Sequence, residues 1–449
     1  MVPASLIIIN LVIAIAIILV FILVFKWSPV VALISGSLYM GIASQVGLMD
    51  TMAQITTGFG DLMAAIGLSI GFGVIIGQLL YDCGGARSIA LAMVRIFPRK
   101  YVLYGIGIAA FIFSIPVFFD VTFVILIPLA LALTREINKP LPYAVGAMVI
   151  GAAAAHTLVP PTPNPLAAAE ILQFDLGIMI VAGLILGLLA ALLAMRILFF
   201  FLDRGLWNEE KDQTGEVSQE PIEVQEHAPG AGVAVIPIII PIVLILSGTI
   251  FHAFLENVPS LVQFISHKVV AMLAGTIAAY IIAHRNLSKS VMGSSVQKAM
   301  GSAGMVLLIT GAGGAFGAVI QATGIGNILA ESIGDSPSSG IWAILITYGT
   351  AMVFRISQGS GTVAAITTMT IMAGAHLAQT VGVHPVWIAM AALSGGISIG
   401  HINDSGFWVT AKLSGFSVTG GLKIYTLGEF IISIIVLVIS IFGSLLIGA

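Results

Sequence analysis

SIPVFFD (Ser114–Asp120) and RISQGSGT (Arg355–Thr362) interrupt long apolar runs with proline, glycine, serine and a charge. Each is followed, roughly 40 residues on, by a second polar break: HTLVPPTPNP (His156–Pro165) and HINDSGFW (His401–Trp408). In lipid, irregular backbone is tolerated only where it is buried in protein or lines a water-filled cavity. Interrupted apolar segments at corresponding places in two halves of a chain point to a transporter binding site.

Composition supports a membrane setting. Of 449 residues, 59% are hydrophobic and 8% are charged, against about 25% charged in ordinary soluble domains. The chain is therefore expected to be an all-α polytopic membrane protein. No basic patch suggests nucleic acid. The single cysteine, Cys83, excludes an intramolecular disulfide and a cysteine-based metal cluster. No cofactor and no metal site is expected. The first apolar run has no Lys or Arg before it and reads as a span, not a cleaved signal peptide.

Apolar runs of about 20 residues, enough to span, occur near 4–25, 28–48, 60–82, 141–172, 176–202, 233–256, 264–284, 300–333, 385–411 and 424–448. Basic residues orient them. Lys26, Arg95/Arg99/Lys100, Arg135/Lys139, Arg196/Arg204 and Arg285/Lys289/Lys298 are expected on the cytoplasmic side. Segment 101–135 then has both flanks on one side. As one helix, 101–134 would be about 51 Å long, and as two spans each would be about 22 Å, against a core of about 30 Å. A re-entrant helical hairpin with its tip at Ser114–Asp120 resolves the conflict, and Pro116 breaks the helix there. Segment 340–380 reads as a second hairpin entering from the opposite face, since its flanks lack Lys and Arg.

Each half thus holds about five spans and one hairpin, and an odd number of spans inverts the second half. The expected units are a first repeat over 1–202, an acidic cytoplasmic linker over 203–231, and a second repeat over 232–449. IGLSIGFGVIIGQLLYDCGGARSIA (66–90) aligns without gaps on VLLITGAGGAFGAVIQATGIGNILA (306–330). His156 falls on His401 when a short gap is allowed.

Some motifs have plain explanations. GFGVIIG (71–77) and GAGGAFG (311–317) lie inside apolar spans, where small residues let helices approach closely, and lack the strand–turn–helix setting of a nucleotide loop. Asp61 and Asp82 sit in GFGD and YD, an order reversed from that of intramembrane aspartyl proteases. That hydrolase is the alternative from outside transport. His252, His267, His284, His376 and His384 sit near span ends or on a hairpin arm and have no metal-ligand spacing.

Ionisable groups at mid-membrane depth are functional suspects, because each costs about 2.5–3.5 kcal/mol on insertion scales. Asp120, Arg355 and Asp404 qualify, with His156 and His401. The planar fork of Arg355 suits a carboxylate, and the competing reading is an ion pair with Asp120 or Asp404. The second arms of the hairpins, starting near Val121 and Thr362, offer free N–H groups to an anion. Ser357, Gln358, Gly359, Ser360 and Thr362, with His401, Asn403 and Ser405, supply polar contacts for a hydroxylated substrate. Pro161, Pro163 and Pro165 remove donors and leave carbonyls free. Asp120 and Asp404 are the candidates for proton coupling; His156 and His401 are rivals.

At these residues the chain resembles the gluconate permease family, the gluconate:proton symporters. DCGGA (82–86), PVFFDVTFVILIPL (116–129), HTLVPPTPNP (156–165), RISQGSGTVAAIT (355–367) and HINDSGFW (401–408) carry the resemblance. It implies a multi-pass transporter of the bacterial inner membrane that imports a small hydroxylated carboxylate with a proton. Within the family the substrate is gluconate, idonate, a glycerate-type acid or D-serine. Sodium coupling, used by related ion transporters, is an alternative. The resemblance also implies an elevator motion of a hairpin-bearing domain and, by analogy, a homodimer. Thr162 and Asn164 depart from the family's pattern, which has His and Gly there, and both fall in the expected site.

Overall fold

The structure is a computed structural model and describes residues 3–116, 119–213, 228–255, 257–325, 339–402 and 404–446. It is helical throughout. Among the described residues the only β pairing is an isolated bridge between Gln213 and Phe416. The helices are α1 (Ala4–Leu23), α2 (Pro29–Ala43), α3 (Leu48–Asp82), α4 (Gly85–Ile96), α5 (Val102–Ser114), α6 (Phe119–Ile137), α7 (Leu141–Leu158), α8 (Pro163–Ile171) and α9 (Leu176–Asp203). After the linker come α10 (Ile236–Phe254), α11 (Lys268–Asn286), α12 (Lys289–Ala322), α13 (Ser339–Gln358), α14 (Gly361–Gly374), α15 (Pro385–Ile397), α16 (Ser405–Leu413) and α17 (Leu427–Leu446). Short one-turn helices lie between some of these. Eight described segments are long and apolar enough to cross a membrane.

The apolar runs become helices where nothing breaks them, and the breaks fall at proline and glycine. Two expected spans are each two helices. Run 141–172 divides at Val159–Thr162 into α7 and α8, and run 385–411 divides at Ser398–Asp404 into α15 and α16. Other boundaries also shift. α3 and α12 begin upstream of their expected starts, at Leu48 and Lys289, and run 35 and 34 residues. α2 is shorter than expected, at 15 residues. Segment 101–135 forms α5 and α6, joined through Ile115–Pro116, with Ser114 Oγ and Thr122 Oγ1 2.7 Å apart across the turn. Segment 340–380 forms α13 and α14, with Gly359 and Ser360 between them.

The linker starts as ordered structure. Glu209–Asp212 is a helical turn. Asp212 is fully buried, accepts from Lys423 Nζ at 2.6 Å, and takes the N–H of Ser417 on its carbonyl at 2.8 Å. Residues 214–227, the acidic part, lie outside the described residues.

Glycine sets how closely the long helices approach. α3 and α12 pack against each other through Gly58 and Gly314: a Cβ on Gly58 would lie 2.6 Å from the Gly314 carbonyl oxygen. Gly311, Gly313 and Gly317 abut Phe59, Ile366 and Thr370, and Gly73 abuts the Pro161 carbonyl. These glycines are contact points, as their apolar setting suggests, whereas Gly71 has open space around it. A side chain at Gly58 must therefore push the helices apart, at about 1–3 kcal/mol. Gly58→Leu is expected to lower the melting temperature of detergent-purified protein. Gly60→Leu, two residues along with nothing within 4 Å, is expected to leave it within the roughly 0.5 kcal/mol scatter of surface changes.

Candidate functional site

The four breaks meet. The first residues of α6 (Phe119, Asp120), α8 (Asn164), α14 (Gly361, Thr362) and α16 (Ser405, Gly406) all line one cavity of about 460 Å³. The last turns of α7 (His156, Thr157) and α15 (Gly396, Ile397) complete its wall. Four helix N-termini therefore face one space. Each presents the positive end of a peptide dipole, and first-turn N–H groups have no intrahelical acceptors. In α8, however, Pro163 and Pro165 leave Asn164 as the one donor of its first three residues. In α14 and α16, Ser360 Oγ and Asp404 Oδ1 cap the N–H groups of Val363 and Gly406. The α14 start is held against the α15 end by glycine contact. A Cβ on Gly361 would lie 2.6 Å from the Gly396 carbonyl oxygen, and one on Gly396 would lie 2.9 Å from the Gly361 carbonyl oxygen.

A charged cluster forms part of the cavity wall. Arg355, at the end of α13, is 4% exposed. Its Nη2 donates to Asp404 Oδ2, and also to Glu429 Oε2 at 2.7 Å. Its Nη1 donates to the Gly359 carbonyl. Gly359 has φ +80°, a left-handed conformation that turns its carbonyl back onto the guanidinium. Tyr425 OH donates to Asp404 Oδ2 at 2.6 Å, and the Gly406 N–H donates to Asp404 Oδ1 at 2.9 Å. Tyr425 sits on a π-helical turn, Leu422–Thr426, continuous with α17, which carries Glu429. Such turns re-aim side chains within a helix and often mark functional places.

The structure places the expected site residues unequally. Asp120, His156, Asn164, Arg355, Gly359, Ser360, Thr362, Asp404 and Ser405 line the cavity. Arg355 is not a free clamp, because two carboxylates and a carbonyl already occupy both terminal nitrogens; the ion pair with Asp404 is formed. His401 lies off the cavity. Its Nε2–H donates to the Ile356 carbonyl at 3.1 Å, tying the α15–α16 break to the end of α13. Pro161 and Thr162 line a small side cavity with Gly73, Pro116 and His156, and Thr162 Oγ1 donates to the Val159 carbonyl at 2.7 Å. Asn403 and the side chains of Ser357 and Gln358 lie outside the described residues.

Two members of the cluster were not anticipated. Glu429 is the one acid in the apolar run 424–448, and the glycine beside it, Gly428, does not interrupt the helix; the charge itself is the available signal. Tyr425 carries no such signal. Asp61 and Asp82 lie on one helix, 21 residues and so about 31 Å apart, and cannot form a catalytic pair.

A family model described as GntP family permease matches residues 6–446. The chain belongs to the GntP family. This GntP family permease is 32% identical over 425 residues to an uncharacterized permease of Haemophilus influenzae, covering 91% of this chain and 86% of that one. It is 30% identical over 434 residues to a high-affinity gluconate transporter of Escherichia coli, covering 94% and 96%. It is 29% identical over 435 residues to the D-serine transporter DsdX of Escherichia coli, covering 95% and 96%. Among solved structures, the YdaH transporter of Alcanivorax borkumensis superposes with a TM-score of 0.57 at 15% identity, over 88% of this chain and 89% of that chain. That likeness concerns the fold. The chain is a multi-pass membrane permease for a small molecule, not an enzyme.

Gly400 tests the cluster. A Cβ there would fall onto Arg355 Nη2, Glu429 Oε2 and Asp404 Oδ2. Gly400→Ala is expected to cut uptake of the transported small molecule by at least about tenfold, or ~1.4 kcal/mol. Gly349→Ala, with nothing within 4 Å, is expected to leave uptake near wild type. Normal transport by Gly400→Ala would show that the cluster tolerates rearrangement.

Proposed function

We propose that this permease imports a small hydroxylated carboxylate, gluconate or a related sugar acid, by proton symport across the bacterial inner membrane. The observation that carries the reading is the convergence of four helix N-termini on one cavity beside a buried charged cluster. Helix starts attract anions without adding a mobile cation. Among the relatives, several are named for gluconate and others for D-serine. The two compounds share a carboxylate beside a carbon bearing a hydrogen-bonding group. That shared part is what the helix starts would hold, with Ser360, Thr362, Asn164 and Ser405 addressing the hydroxyls. Asn164 Oδ1 is buried and has no hydrogen-bond partner among the described residues, which suits a substrate O–H.

Arg355 serves in this reading as the fixed positive centre of the site rather than as a bidentate clamp. Asp120, Asp404 and His156 are the coupling candidates on the cavity wall. Residues 1–202 and 232–449 act as two inverted repeats joined by a cytoplasmic linker over 203–231, with 101–135 and 340–380 as re-entrant hairpins. Transport is by an elevator motion, in a protein that pairs as a homodimer. The α5–α6 and α13–α14 turns at the cavity, paired with the α7–α8 and α15–α16 breaks, support the repeat.

The test is uptake of labelled D-gluconate into proteoliposomes under an inward proton gradient, with D-serine, D-glycerate and idonate as competitors. Accumulation abolished by a protonophore is the expected result, and the competitor ranking names the substrate. Accumulation that collapses when choline replaces sodium, and ignores the protonophore, would assign sodium as the coupling ion. Equilibration without accumulation would indicate a passive path.

A further inference from the structure

We infer that Glu429 is the group that carries the transported proton. The inference rests on the proton-symport reading and names a residue that reading does not use. Counting charges gives the first reason. Arg355 faces two carboxylates, Asp404 and Glu429, so the cluster with both ionised carries a net negative charge inside the bundle. A buried uncompensated charge costs several kcal/mol, and one proton removes it.

The hydrogen bonds then choose between the two acids. Asp404 accepts from Arg355, from Tyr425 OH and from the Gly406 N–H, and it caps the start of α16. Three donors and a helix N-terminus therefore surround its carboxylate oxygens. Glu429 accepts from Arg355 Nη2 at 2.7 Å and only shares the Tyr425 hydroxyl, whose proton goes to Asp404. It lies within a helix that continues upstream of it rather than at a helix start. The weaker-held carboxylate takes the proton.

The groups that face Glu429 leave few rivals. α13 contributes Arg355 and, two turns earlier on the same face, Tyr348, whose OH lies 3.0 Å from Ser433 Oγ. The π-helical turn contributes Tyr425, and the α15–α16 break contributes Asp404. Asp120 of α6, which meets Ser405 and lies near Asp404, and His156 of α7 also line the cavity. α15 has no charged side chain, and Arg196 of α9 is exposed. Glu429, 4% exposed, is the one buried glutamate among the described residues.

Coupling follows from Coulomb's law. The substrate brings a negative charge into the cavity that Glu429 lines. With Glu429 ionised, the substrate would join a site that is already net negative. With Glu429 protonated, the cluster is neutral and the anion is accepted. Substrate and proton therefore favour each other's binding, reciprocally. The proton binds to a carboxylate oxygen from one aqueous side and leaves from the same oxygen on the other, and no bond to substrate forms.

The experiment compares wild type, Glu429→Gln and Glu429→Asp in proteoliposomes. Wild-type exchange of labelled substrate between equal pools is expected to gain apparent affinity as pH falls, by up to about tenfold per unit, the limit for one linked proton. Glu429→Gln is expected to lose the pH dependence of exchange and to lose accumulation under a proton gradient. Glu429→Asp, which keeps a titratable carboxyl, is expected to retain both, with a shifted midpoint. A Glu429→Gln protein that accumulates substrate in a protonophore-sensitive way overturns the assignment while leaving symport standing. A wild type that ignores the proton gradient removes both. Should Glu429→Gln not be recovered folded, infrared difference spectra of wild type on substrate addition decide. A protonated-carboxyl band shifted by carbon-13 glutamate supports the assignment, and one shifted by carbon-13 aspartate contradicts it.

Discussion

Arg355 sets the terms for the centre of this permease. A cation in an apolar bundle has to be answered by anions, and here the answer comes from two separate places in the chain. Asp404 lies in the break between α15 and α16, and Glu429 lies in the last helix. The guanidinium also holds the carbonyl of Gly359 at the turn into α14. One side chain thus joins the α13–α14 turn, the α15–α16 break and α17. Breaking such a buried pair by removing one partner typically costs 3–5 kcal/mol, because the other charge is stranded. The cost is tolerable where the charges also serve the molecule being carried.

Around that ion cluster the geometry is set by small residues. Gly361 against Gly396 brings the start of α14 onto the end of α15, and Gly400 leaves the volume that the three charged groups occupy. Helix starts that would otherwise sit a side chain apart can then share one cavity. The result is a cavity lined by helix starts and hydroxyl groups, in which the strong charges are paired among themselves; in the proposed reading the substrate's carboxylate would meet the peptide dipoles there.

Much of this was legible from residue pattern. The polar interruptions at 114–120, 156–165, 355–362 and 401–408 are the helix breaks that meet at the cavity, because proline and glycine cannot continue a helix and charge cannot rest in lipid. Arg355, Asp404 and Asp120 declared themselves by charge. The partners of Arg355 were harder. Asp404 was one of two candidates, and Glu429 was overlooked because its helix shows no break. His401 shares a motif with Asp404 yet turns to the Ile356 carbonyl, a direction that depends on how α13 ends and that no one-dimensional pattern encodes. Helix boundaries moved for a related reason: hydropathy locates the apolar middle of α3 and α12, while their polar first turns extend the helices to Leu48 and Lys289.

The most direct test of the account is a substrate-bound structure, determined by cryo-electron microscopy with the best competitor from the uptake panel. Carboxylate density among the first turns of α6, α8, α14 and α16, with Arg355 still held by Asp404 and Glu429, is the predicted result. A carboxylate seated directly on Arg355 with Asp404 or Glu429 displaced, or substrate bound elsewhere in the bundle, would contradict it.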